Sequence, residues 1–98
     1  MNIAFSKNGV PIRLSYERWT HIVENHDDMA SSFHDVLETI ENPEVIYRGF
    51  KHALKAMQSR GHKNKIVVIY KELSKSDGFV ITAFHTEAKL KGDILWHR

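Results

Sequence analysis

The sequence predicts an α+β fold, two N-terminal helices packed on a roughly four-stranded antiparallel sheet. Three observations carry that expectation. Apolar residues recur at helical spacing between Tyr16 and Ile40, the texture turns β-branched and aromatic after Pro43, and turn-forming clusters cut the second half into short runs. Helices followed by an antiparallel meander place the helices on one face and leave the other open to solvent as a platform for a ligand.

"VPIRLS" at 10–15 reads as a short extended lead-in, because Pro11 cannot sit inside a central strand. Ser15 then suits an N-cap, and Tyr16, Trp19, Ile22, Val23 and His26 follow as one helical stripe. Ser32 is the expected cap of a second helix whose inner face is Phe33, Val36, Leu37 and Ile40. That helix ends near Asn42, since Pro43 pushes its predecessor out of the α region. Beyond it, "EVIYRGF", "ALKAMQSR", "KIVVIYKEL" and "GFVITAFHT" are the expected strands, separated by "KH", "GHKN" and "SKSDG". A final "DILWHR" could add an edge strand.

Ninety-eight residues hold one hydrophobic core, so residues 1–98 are expected to form a single domain. The longest apolar run, "IVVIY" at 66–70, is too short to span a bilayer, and no secretory signal is visible at the N-terminus. The absence of cysteine rules out disulfides and thiolate metal sites and fits a reducing, cytoplasmic setting.

Charge is unevenly distributed. Residues 1–44 hold eight Asp/Glu against three Lys/Arg, a balance of −5. Residues 45–71 hold seven cations, Arg48, Lys51, Lys55, Arg60, Lys63, Lys65 and Lys71, and no acid. Such a stretch is either a solvated face or the footprint of a polyanion.

Seven histidines in so short a chain invite proton-transfer chemistry. In "RWTHIVENHDD", His26 lies on the Trp19 side of the helix and His21 points almost oppositely. His26 is thus a core histidine or one placed at the rim of the helix–sheet interface. In "FVITAFHT", Thr82 shares a strand face with Phe84, and His85 lies on the other. His21 and His26 are five apart, not the four of a helical zinc pair, so neither metal nor cofactor is expected.

The motifs "W-T-H-I-V-E-N-H", "T-I-E-N-P", "V-V-I-Y", "F-V-I-T-A" and "I-L-W" stand in this order along residues 14–96. Together they resemble the phage-type members of the barnase–EndoU–colicin–RelE-like nuclease group. The resemblance implies a RelE/barnase-like domain that cleaves RNA, often tRNA or mRNA, without metal, and that acts as a toxin or phage-derived effector neutralised by an antitoxin or immunity protein. The family's helix histidines fall on His21 and His26, its late-strand threonine on Thr82 and its basic residue on Arg60. This chain departs from the pattern in having Asp27-Asp28 where Pro-Glu is common, and in having only Lys89 near the position of a later lysine.

Metal-free RNA cleavage needs a base for the 2′-OH, an acid for the 5′-oxygen and stabilisation of the phosphorane between them. Imidazole can serve in either proton transfer, with His26 as acid and His21 or His85 as base. Arg60 offers a planar fork to phosphate, and the Thr82 hydroxyl can donate to a non-bridging oxygen. Arg48, Lys51, Lys55, Lys63 and Lys65 are expected to hold the RNA backbone, and Tyr70 to stack a base on the open face. The alternative is a non-catalytic module of the same fold that binds RNA or a protein.

Overall fold

A computed structural model describes residues 2–98. Seven strands form one sheet: β1 (Asn2–Phe5), β2 (Pro11–Leu14), β3 (Val45–Arg48), β4 (Leu54–Ser59), β5 (Lys65–Ser74), β6 (Asp77–Thr86) and β7 (Ile94–His97). Two helices, α1 (Tyr16–Asn25) and α2 (Phe33–Glu41), lie between β2 and β3. The strand order is β1-β2-β6-β5-β4-β3-β7, with β2 parallel to β6 and every other pair antiparallel.

This corrects the fold expected from the sequence. The sheet is mixed and has seven strands instead of about four in a purely antiparallel arrangement, and a β-hairpin precedes the helices. The lead-in at 10–15 is itself a strand. Pro11 is its first residue, a position a strand tolerates in proline. Asn8-Gly9 closes the hairpin, with Gly9 at φ +79 and its N–H donating to the Ser6 carbonyl at 2.8 Å.

Both helix stripes bury much as their spacing requires. The Ser15 hydroxyl accepts from the Arg18 N–H at 3.1 Å, and Ile22 is the fully buried residue of α1. Tyr16, at the far end of the stripe, is exposed. In α2, Val36, Thr39 and Ile40 are buried, while Phe33 and Leu37 pack at the margin of the core. Trp19 meets Phe33 edge to face at 5.1 Å between centroids, which ties the two helices together. The expected Ser32 cap is not made: no side-chain bond caps α2, and the hydroxyl turns to His85.

Helix α2 lies over β4, β5 and β1, and α1 packs beside β6. The core between helices and sheet holds Ile12, Leu14, Ala56, Ile66, Val68, Tyr70, Val80 and Ala83. The β1–β2 turn folds onto this face as well, where Ser6 Oγ and Asn8 Nδ2 donate to the Glu72 carboxylate of β5.

Strand β2 pairs with β6 only at Ile12↔Gly78 and Arg13↔Phe79. A forked Arg13–Asp77 pair, at 2.8 and 3.1 Å, holds this short junction. Gly78 is required there, because a Cβ would lie 2.6 Å from both Ile12 Cδ1 and the Lys71 carbonyl oxygen. The rest of β6 has no strand on that side, and α1 with the single turn at 27–29 occupies the space.

The second face is not the open platform expected. Because β6 and β7 stand far apart in the sheet, residues 87–93 must pass β5, β4 and β3 to join them. Lys65 Nζ donates to the Glu87 and Ala88 carbonyls at 3.4 Å, and Lys55 Nζ to the Lys91 carbonyl at 2.7 Å. Val67, on this face at the centre of the sheet, is 0% exposed.

Gly78→Ala should destabilise the protein by about 1–3 kcal/mol, since one of the atoms it meets is backbone and cannot swing away. Urea unfolding measures this, and a loss under about 0.5 kcal/mol would show that β2 and β6 do not approach as described.

Candidate functional site: a cationic cavity on the second sheet face

The turn at 49–53 builds one wall of a cavity. The Gly49 N–H donates to the Ala53 carbonyl at 2.8 Å, and a Cβ on Gly49 would lie 2.9 Å from that same oxygen. Lys51 and His52 both adopt left-handed backbone, at φ 53 and 68, which L-residues enter at a cost. The turn leaves Phe50 82% exposed, with Lys51 Nζ 5.5 Å from its ring centroid.

The floor is the sheet. Ile69 of β5 faces it, and so does Ile81, the extra residue of a bulge in β6 where Ile69↔Thr82 and Tyr70↔Val80 pair on either side. The crossing segment closes the third side through Lys91 and Gly92. The space between these walls is about 600 Å³ and opens to solvent. Arg48, Lys51, Lys55, Lys71 and Lys91 stand around it, and no carboxylate belongs to its wall. At the rim, Asp93 pairs with Arg48 at 3.6 Å, an exposed contact of small energetic weight. Among the described residues, no ion pair involves the four lysines. Unneutralised cations around an apolar floor attract an anion that also carries a ring or chain.

The residues expected to be catalytic are divided among four places. His26 caps α1, half-buried at the free edge of β6, with its ring 5.7 Å from that of Phe84. Thr82 lies on the second face one strand repeat from Phe84 and pairs with Ile69. His85 points to the helix face, where its Nε2 is 3.2 Å from Ser32 Oγ and its Nδ1 is buried without a partner. Arg60 also belongs to the helix side: Nη2 donates to Gln58 Oε1 at 2.7 Å and pairs with Asp35 at 3.3 Å, while its Nε is buried and unpaired. His21 is exposed on α1. Arg60 and Thr82 lie on opposite sides of the sheet, so His26, Arg60 and Thr82 do not form one cluster.

Arg48, Lys51 and Lys55 gather at the cavity, whereas Lys63 sits in the β4–β5 turn and Lys65 anchors the crossing segment. Tyr70 does not present its ring to a ligand. It is 1% exposed on the helix face, and burial, reinforced by the Glu72 carboxylate, raises its pKa. Sequence reasoning passed over Phe50, Ile69, Ile81, Lys71 and Lys91. Lys71 carried a signal as part of the acid-free stretch; Lys91 carried none, because only the crossing brings it here.

No family model, curated protein or solved structure matches this chain. The cavity and the histidine positions therefore have to speak for function by their own chemistry.

Tyr70 allows a test of this geometry. The unfolded chain ionises it near its ordinary value of about 10, while the folded protein holds it neutral, so unfolding releases a proton at alkaline pH. Its contribution to stability is fully present below about pH 10 and is lost as pH rises beyond that. Tyr70→Phe should flatten the alkaline fall of Tm, and an unaltered fall would mean that the phenol reaches solvent.

Proposed function

We propose that this chain binds single-stranded RNA across its second sheet face. The observation that carries the reading is the cavity with five cations and no carboxylate in its wall. Phosphates supply charge at regular intervals, and lysine and arginine on mobile stems follow a backbone without demanding a sequence. The apolar floor and the exposed Phe50 ring suit unstacked bases, which single strands offer and duplexes withhold.

Cleavage of the bound RNA is the second reading, and the position of His26 favours it. The imidazole is half-buried at the β6 edge, against Phe84, where a strand leaving the second face would pass. Resemblance to the phage-type nucleases supports the same reaction, with 2′-OH attack and no metal, on tRNA or mRNA in the cytoplasm. It also supports a neutralising antitoxin or immunity protein as partner. Among the described residues, no helix is long and apolar enough to cross a membrane.

Fluorescence anisotropy with a labelled oligonucleotide tests binding. Three to five phosphate contacts at roughly 0.7 each give a slope of log K against log salt of about −2 to −3.5. A slope near zero would reduce the cations to solvated surface. Cleavage is tested on the same RNA in EDTA across pH 5–8. If His26 is the acid, His26→Gln should lose on the order of 10² in rate with binding unchanged. Parental cleavage by that variant would remove His26 from the reaction.

A further inference from the structure

We infer that the cavity seats one nucleotide unit, its ring on the Ile69–Ile81 floor and its phosphate among Lys55, Lys71 and Lys91. The inference deepens the RNA reading and rests on it for the source of the nucleotide. Backbone tracking alone asks only for a charged surface. This site has walls and an apolar floor as well, and its open space of about 600 Å³ is large enough for a small ligand.

The floor is built for a flat apolar surface. The bulge in β6 turns Ile81 toward Ile69, where regular pairing would have brought no extra side chain to this face. Phe50 stands at the mouth, 82% exposed, on a turn whose left-handed Lys51 and His52 hold it away from the core. An aromatic side chain kept out in solvent by costly backbone can close over a ring lying on the two isoleucines, with a stacking energy typical of base recognition. The lysines provide the complement. A phosphate monoester carries −1.5 to −2 charges near neutrality and accepts through three oxygens. The Lys55, Lys71 and Lys91 ammonium groups, none with an ion-pair partner among the described residues, meet that charge.

The cavity includes none of His26, His21, Arg60, Thr82 or His85. Base selection at this site is therefore separate from any proton transfer at the β6 edge. The seated unit is either a nucleotide within a strand, whose phosphodiester carries one charge and two free oxygens, or a free mononucleotide, whose monoester carries the larger charge; both present a ring beside an anionic phosphate.

Isothermal titration of the full chain with the four ribonucleoside 5′-monophosphates, with inorganic phosphate and with ribose 5-phosphate tests the site, alongside anisotropy with a single-stranded oligonucleotide. The expected result is saturable binding of at least one mononucleotide, ten-fold or more tighter than either ringless phosphate. Ile81→Phe, which fills the floor and leaves the charge intact, should weaken mononucleotides ten-fold or more while lowering RNA affinity only about two- to three-fold with its salt slope kept. Lys71→Gln, a surface change that spares the floor should Ile81→Phe misfold, should weaken mononucleotides to a similar degree. Mononucleotides that bind no tighter than inorganic phosphate would overturn the ring site, even with RNA binding intact. Mononucleotide binding without RNA binding would support the pocket and defeat the RNA reading, leaving a free nucleotide as the ligand.

Discussion

The strand order imposes one constraint on which the functional surface depends. After β6 the chain must reach β7 at the far edge, and the helices already occupy one face, so residues 87–93 cross the other. Two lysines on that face, Lys55 and Lys65, hold the crossing by donating to its carbonyls. The crossing turns what would be a flat sheet into a walled space. It also brings Lys91 opposite Lys71, two cations twenty residues apart that share a cavity.

The same topology separates charge by function. The short β2–β6 pairing leaves most of the outer side of β6 without a strand neighbour, so α1 lies there and His26 comes to the edge. On the helix face, Arg60 is already engaged by Asp35 and Gln58, and His85 by Ser32. Both are tied into the fold by these contacts, although Arg60 Nε and His85 Nδ1 stay unpaired. Lys51, Lys71 and Lys91, whose ammonium groups form no ion pair or hydrogen bond among the described residues, are available to a ligand, whereas Lys55 is shared with the crossing segment.

Local features were legible in the sequence where local physics dominates. Ser15 caps α1, Asn42 ends α2 ahead of Pro43, and the four runs after Pro43 became β3 to β6. What escaped depended on contacts between distant residues. The strand β1 is only "NIAF", too short to show a period, and its partner was obscured by Pro11. The parallel Ile12↔Gly78 pairing joins residues 66 positions apart, with a lone glycine as its trace. The face of Tyr70 is not legible from the sequence, because "IVVIY" is apolar throughout and its alternation marks no side. For the site, Arg48, Lys51 and Lys55 belong to the acid-free stretch that the sequence displays, while Ile69, Ile81 and Lys91 need the bulge and the crossing.

The most direct measurement follows amide chemical shifts as a short single-stranded RNA is added. Ligand seated in the walled space should move the signals of Gly49, Lys55, Ile69, Ile81 and Gly92 together, in fast or intermediate exchange, and leave Val36 and Ile40 in α2 still. Shifts confined to the helices, with those five signals unmoved, would contradict a functional face built by the crossing.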